Sequence, residues 1–197
     1  MPTPLPFTWP YFLVFWPILV WVFIPEFGVV ARASLNAPPA PEDRGSLQVI
    51  LVGFSIAMFA AFGLSFVAPQ AALPGNPSVW FFLGVLTLIS GGLLRRHCFR
   101  VLDTFFTGVV TIQADHRVIE SGAYRWVRHP SYSAALLIIL GIAISLGNWL
   151  SVVVSFVIAF PAYSYRAHVE EQALLSSLGA PYAQFMATRK RFLPFIW

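Results

Sequence analysis

The chain has 197 residues, 58% of them hydrophobic and 10% charged, with a formal net charge of +4; soluble domains average about 25% charged. So apolar a chain cannot hide its apolar side chains in one small core, which excludes a soluble globular fold and requires lipid over much of the surface. The basic excess does not make a nucleic-acid surface, because the basic residues sit beside apolar runs, where they act as orientation signals.

A spanning helix needs about 20 apolar residues. The first candidate runs from about Trp9 to Val30. Pro17 and Pro25 predict a kink in it, and Glu26 near its end could reach the interface. Met1–Pro10 carries no basic residue ahead of the apolar run, so this span is expected to be retained rather than cleaved. The second span covers about Leu47 to Val67 and the third about Ser78 to Leu94. A polar stretch, about Arg95 to Ser131, follows. The fourth span, about Tyr132 to Leu146, and the fifth, about Trp149 to Tyr165, are joined by a Gly147-Asn148 turn and read as a short helical hairpin. Beyond it lies a tail, Arg166 to Trp197. Val169, Ala173, Leu174 and Leu178 recur there at helical spacing, and Gly179-Ala180-Pro181 should end or bend that helix. The expected architecture is all-α: one integral membrane domain over 1–197 with about five transmembrane helices. Three N-terminal spans fill 1–94 and a functional core fills 95–197.

Five spans divide the loops into two sets. Met1–Thr8, Ala68–Pro77 and Gly147-Asn148 hold no Lys or Arg. Ala31–Ser46, Arg95–Ser131 and the tail hold all twelve. The asymmetry places the N-terminus outside and the C-terminus in the cytoplasm.

The densest polar cluster, Gly122-Ala123-Tyr124-Arg125-Trp126-Val127-Arg128-His129-Pro130-Ser131-Tyr132, leads directly into the fourth span. Pro130 biases His129 to an extended backbone and suits the first position of the next helix. A helix N-terminus favours an anion, and Arg128 could add a bidentate grip. Tyr124, Trp126, His129 and Tyr132 offer faces for a planar ring or a cation. That combination suits a nucleoside-containing cofactor; the competing reading is an ordinary interfacial belt of basic and aromatic residues. A second cluster, Arg166-Ala167-His168-Val169-Glu170-Glu171, could pair Arg166 with Glu170 four residues on. Either acid could accept from ribose hydroxyls or an ammonium group, or the segment could be a solvated juxtamembrane turn. The third, Arg189-Lys190-Arg191, could attract anionic lipid. Cys98 is the one cysteine, which excludes a disulfide framework, and no second ligand pair accompanies His97-Cys98, so no metal site is expected. There is no GxGxxG, Walker loop or HExxH. Only Glu26 is charged within a span, which argues against a transporter.

In order, Gly122-Ala123-Tyr124-Arg125, Arg128-His129-Pro130-Ser131-Tyr132, the hairpin, Glu170-Glu171, Gly179-Ala180-Pro181-Tyr182 and Arg189 through Pro194 resemble the pattern of the isoprenylcysteine carboxyl methyltransferase family and the related phospholipid methyltransferases. The resemblance covers about Thr111 to Ile196. It implies an integral membrane enzyme that uses S-adenosylmethionine in a cytoplasmic pocket, with a lipophilic substrate entering sideways from the bilayer. It also implies an inner-membrane location in a bacterium, or the endoplasmic reticulum in a eukaryote.

Matched motif by motif, Gly122, Tyr124, Val127, Arg128, His129, Pro130 and Tyr132 would line the cofactor site, and Glu170 and Glu171 would close it. His116, in the segment Asp115 to Ile119, stands where the family has a cofactor-contacting loop. Arg128, Glu170 and Arg166 are the expected catalytic set, with Arg128 anchoring the methionine carboxylate and Arg166, Arg189 or Arg191 facing a substrate or cofactor carboxylate. A carboxylate acceptor needs positioning and desolvation more than acid–base help; an amine acceptor would need a base, for which Glu170 or Glu171 is nearest. Phospholipid N-methylation and small-thiol S-methylation remain as acceptor alternatives. An NADPH-dependent membrane reductase and a non-enzymatic membrane subunit remain as alternatives of other classes.

Overall fold

The computed structural model describes residues 3–36, 43–102 and 118–194, without the side chains of residues 26, 27 and 29–36. The Glu26 carboxylate is therefore outside the description. Among the described residues every regular element is helical. Six α-helices follow in order: α1 (Phe12–Asn36), α2 (Ser46–Val67), α3 (Pro77–Leu102), α4 (Pro130–Ser145), α5 (Trp149–Leu178) and α6 (Ala180–Thr188).

Helices α2, α3 and α5 are each long and apolar enough to cross a membrane, while Phe12–Pro25 and α4 are shorter apolar helices. In α2 only 17% of the most apolar window is buried, so its remaining surface needs lipid. Pro17 and Pro25 each remove one backbone donor without ending α1, which continues to Asn36 and so occupies the first part of the expected Ala31–Ser46 loop.

The hairpin is unequal rather than short in both arms. Helix α4 has 16 residues, but α5 has 30 and runs unbroken through the expected boundary at Tyr165. At 1.5 Å per residue α5 is about 45 Å long, against a hydrocarbon core of about 30 Å, so its last three turns project beyond the apolar segment. Those turns carry Arg166, Glu170 and Glu171. The helix stops at Gly179, whose φ of 61° is left-handed, and α6 starts at once with Pro181 in its first turn.

Two seams hold the bundle, and small residues make both. Along α2, Ser46, Gly53, Ala57, Ala61 and Ser65 are buried at helical spacing; along α5, Ser151, Ser155, Ala159 and Ala162 are. A Cβ on Gly53 would sit 2.8 Å from that of Ala162. Ser151 Oγ donates to Ala61 O at 2.8 Å, and Asn148, which caps α5 through Ser151 N, also donates to Ala68 O at 2.8 Å. The α3–α4 seam is equally close: a Cβ on Gly84 would fall on Ser145, and one on Gly141 on Leu88. In lipid, close backbone approach of this kind supplies the dispersion that holds helices together. Phe15, Val22, Phe81, Leu88, Ile138 and Ile142 fill the space between α1, α3 and α4. The polar cluster lies at the end of this bundle where α3 and α5 finish and α4 begins.

Candidate active site

Two stretches of extended backbone build one wall. Val127 pairs with Lys190 in a short parallel bridge, Arg128 N donates to Lys190 O at 2.8 Å, and His129 N donates to Arg191 O at 3.0 Å. Ser133 Oγ donates to Phe192 O at 2.6 Å. The basic tail thus docks on the start of α4 and carries Arg191 into the cluster. Pro130 opens α4, where its missing N–H is no loss, and His129 precedes it with φ −125° and ψ 59°. Tyr132 N and Ser133 N both donate to His129 O.

His129 is the centre. It is buried, its ring lies stacked on Tyr132 with centroids 5.2 Å apart, and each ring nitrogen meets a carboxylate. Nε2 is 3.1 Å from Glu171 Oε1 and Nδ1 is 3.5 Å from Glu170 Oε2. Only the doubly protonated ring donates from both nitrogens. Burial alone would lower the imidazole pKa, but the two glutamates outweigh it and raise it. Burial alone would raise the carboxyls; hydrogen bonds from His129, helped by Tyr132 and Arg166 at Glu170 and by Arg191 and Arg128 at Glu171, bring both down to about 2.

The two acids differ in their surroundings. Glu171 is 3% exposed and saturated. It accepts from His129 and from Arg191 Nε at 3.2 Å and Nη2 at 2.5 Å, while Arg128 Nε stands 3.1 Å from its Oε1 without the alignment to donate. Glu170 is 33% exposed, and its two contacts both use Oε2: Tyr132 Oη donates at 2.6 Å and His129 stands behind. Among the described residues Oε1 has no partner and can accept from another group.

The expected Arg166–Glu170 relation runs through a third residue. Arg166 Nε donates to Tyr132 Oη at 3.3 Å, so the hydroxyl stands between the two. Arg166 Nη1 donates to Ser46 Oγ at 2.7 Å and pairs with Asp43. Sequence pattern does not point to Asp43 and Ser46 as site residues: an aspartate just ahead of an apolar run is a helix-start signature, but its arginine lies 123 positions away. Arg191, expected as one of three options, is the residue of the basic tail that joins Glu171. Arg189 instead lies 3.9 Å from Glu120.

The remaining candidates shape the approach to α4. Gly122, at φ 58°, starts a 3-10 turn over Gly122–Arg125 and leaves room for His97, whose Nε2 accepts from Ala123 N at 3.3 Å; a Cβ there would come within 2.5 Å of that nitrogen. Tyr124 and Val127 are buried, and Trp126 is exposed with Arg125 over its ring. Arg128 Nη1 donates to Met186 O at 3.3 Å, so the anion nearest this guanidinium is the chain's own Glu171. Asp115, His116 and Arg117 lie outside the described residues.

A sequence profile of the isoprenylcysteine carboxyl methyltransferase family matches residues 83–176. The protein-S-isoprenylcysteine O-methyltransferase B of Arabidopsis thaliana is 26% identical over 160 residues, 78% of this chain and 81% of the plant protein. The protein-S-isoprenylcysteine O-methyltransferase of Saccharomyces cerevisiae is 30% identical over 116 residues, 58% of this chain and 48% of the yeast protein. These likenesses support a place for the chain in the isoprenylcysteine carboxyl methyltransferase family. The fold agrees. The solved structure of a eukaryotic intramembrane Ras methyltransferase, an isoprenylcysteine carboxyl methyltransferase, superposes with a TM-score of 0.59 at 22% identity, covering 91% of this chain and 62% of the other. The family and the relatives that match are methyltransferases by name, and a methyltransferase needs a methyl donor. Within the family match fall Tyr124, Arg128, His129, Tyr132, Arg166, Glu170 and Glu171; Asp43, Ser46 and Arg191 fall outside it.

Proposed function

We propose that the chain transfers a methyl group from S-adenosylmethionine to the carboxylate of an isoprenylcysteine-type lipid at the cytoplasmic face of a membrane. The observation that carries this reading is the His129 imidazole bridging Glu170 and Glu171, which joins two distant polar stretches into one site beneath an apolar bundle. In this reading α1 to α5 each pass the membrane once, with the N-terminus outside and the polar cluster in the cytoplasm, which the distribution of basic residues supports.

The residues present fit such a cofactor. Glu170 Oε1 can accept from ribose hydroxyls. Arg128 spends Nη1 on Met186 O and Nε beside Glu171, which leaves Nη2 for a ligand carboxylate. Gly122, Tyr124, Val127, Pro130 and Tyr132 complete the proposed cofactor wall; His116, proposed with them, lies outside the described residues. When bound, S-adenosylmethionine supplies a methyl group already activated as part of a sulfonium. The protein's share is then to hold and align an acceptor carboxylate and to exclude water, and the saturated Glu171 cluster gives a rigid base for that alignment.

The acceptor needs a route from lipid. Between α2 and α5 lies a groove of about 520 Å³ lined by Gln48, Val49, Val52, Gly53, Ile158, Pro161 and Ala162. It is almost wholly apolar and ends about one turn from Ser46 and Arg166, next to the polar cluster. An isoprenoid or acyl tail fits its chemistry.

The test is calorimetric titration of the purified protein in detergent with S-adenosylmethionine, followed by a labelled methyl-transfer assay with a farnesylcysteine acceptor. Binding and carboxyl methyl ester formation are expected. No binding at millimolar cofactor would remove the proposal.

A further inference from the structure

A dense polar junction outside the family match is the turn that opens α2. Asp43 is 6% exposed, and its carboxylate accepts from Leu47 N at 3.1 Å and from Ser46 Oγ at 3.2 Å while pairing with Arg166. The turn behind it is built for the purpose: Arg44 and Gly45 follow at φ 47° and 72°, both left-handed, the first without the freedom of glycine. Arg44 Nη1 donates to Gln172 Oε1 at 2.7 Å and Tyr165 Oη donates to Arg44 O at 3.2 Å. Among the described residues, side-chain hydrogen bonds and an ion pair at Tyr165, Arg166 and Gln172 therefore tie residues 43–46 to α5.

This junction does more than staple two helices. Arg166 uses Nη1 on Asp43 and Ser46, which fixes the plane of its guanidinium and aims Nε at Tyr132 Oη. With one donor already directed at its oxygen, the Tyr132 hydroxyl has its own proton free to point at Glu170 Oε2, 2.6 Å away. That bond orients the half-exposed acid whose other oxygen is open to a ligand. A free arginine at Arg166 could turn to Glu170 directly and close that oxygen off.

We propose that Asp43 is a positioning residue for the methyl-transfer site, acting through Arg166 and Tyr132 on the orientation of Glu170. The inference rests on the methyltransferase reading for its activity readout. It assigns a role to a residue 40 positions ahead of the family match. Asp43→Asn keeps an oxygen for the Leu47 N–H and removes the negative charge paired with Arg166; Asp43→Glu keeps the charge.

The experiment is a double-mutant cycle with Asp43→Asn and Tyr132→Phe on the full-length protein in detergent, with Asp43→Glu as the conservative variant. Cofactor affinity, kcat and KM, and the unfolding midpoint are measured for each. Asp43→Asn is expected to lower kcat by about tenfold while remaining folded, Asp43→Glu to recover part of it, and the double variant to be no worse than Tyr132→Phe alone, because contacting residues couple. Multiplicative losses in the double variant, or an unchanged kcat in Asp43→Asn, overturn the inference. If the wild-type chain transfers no methyl group, the methyltransferase reading fails by itself. The same cycle on the unfolding midpoint then decides the relay: non-additive shifts keep it and additive shifts overturn it.

Discussion

His129 Nε2 lies 3.1 Å from Glu171 Oε1, although 42 residues separate them, and both side chains are almost wholly buried. Glu171 also holds Arg191 and faces Arg128. One carboxylate thus compensates three cationic groups. Glu171→Gln keeps the shape and removes the charge, which leaves His129 with Glu170 alone and takes from Arg128 and Arg191 their acidic partner among the described residues. Breaking a buried pair by deleting one partner costs about 3–5 kcal/mol. Thermal unfolding in detergent should show a large drop in midpoint, with loss of cofactor binding. A midpoint within a degree or two of wild type would show that the tail is not anchored through Glu171. Arg191→Ala leaves His129 and Arg128 beside the carboxylate and should cost less.

A pH dependence follows from the same pair. His129 has a raised pKa, so the stability it contributes is fully present below the ordinary histidine value of about 6.5 and fades as pH rises through its folded value. Glu171 is held at about 2, so its contribution is present above the ordinary carboxyl range near 4.3 and is lost as pH falls toward 2. Stability should therefore be greatest between about pH 4.3 and 6.5 for this cluster. Unfolding midpoints measured from pH 5 to 9 should decline on the alkaline side, and His129→Gln should flatten that decline. An equal decline in the variant would assign it to other groups.

Much of this site was readable before any coordinates, and the unreadable parts share a cause. Pro130 after His129 announced a helix start, and the Glu170-Glu171 pair stood out because charges are scarce in so apolar a chain. Periodicity in Val169, Ala173 and Leu178 showed the helix after Tyr165, but not that it continues α5 unbroken, since the polar change at Arg166 marks where lipid ends rather than where the helix ends. Sequence spacing suggested Arg166 beside Glu170, because i and i+4 neighbours share a helix face. It could not show that Tyr132, from α4, takes the place between them. Asp43 was invisible for the same reason: it acts on a partner 123 positions away, and a local pattern reports only its cap. Arg191 stood level with Arg189 as a candidate for a carboxylate, because the choice between them depends on backbone pairing of the tail with Arg128 and His129, which no side-chain pattern records.

The helix seams predict a contrast between glycines. A Cβ on Gly141 would fall on the backbone of Leu88, and neither helix can yield without opening the α3–α4 seam. A Cβ on Gly63 meets nothing within 4 Å. Gly141→Ala is expected to destabilise by about 1–3 kcal/mol, the usual cost of overpacking. Gly63→Ala should be neutral or slightly stabilising, since alanine is the better helix former. Unfolding midpoints of the two variants in one detergent check this, and equal midpoints would mean that the seam is looser than the coordinates show.

The tail site proposed in the α2–α5 groove would separate acceptor binding from cofactor binding. Its lining is apolar and its polar end lies beside Ser46 and Arg166, so a bulky residue at its lipid-facing side should obstruct a tail without touching His129, Glu170 or Glu171. Val52 is 57% exposed on that side. Val52→Trp adds several heavy atoms to the groove while leaving the α2 backbone helical, and a tryptophan facing lipid costs little. The KM for a farnesylcysteine acceptor should rise by about tenfold, equivalent to about 1.4 kcal/mol of lost tail binding, with cofactor affinity unchanged. The size of the effect should also follow the acceptor: a short-chain analogue that leaves the groove empty should show nearly the same KM in wild type and variant. A rise of equal size for both acceptors would point to a disturbed site instead, and an unchanged KM for the farnesylated one would place the lipid elsewhere on the bundle.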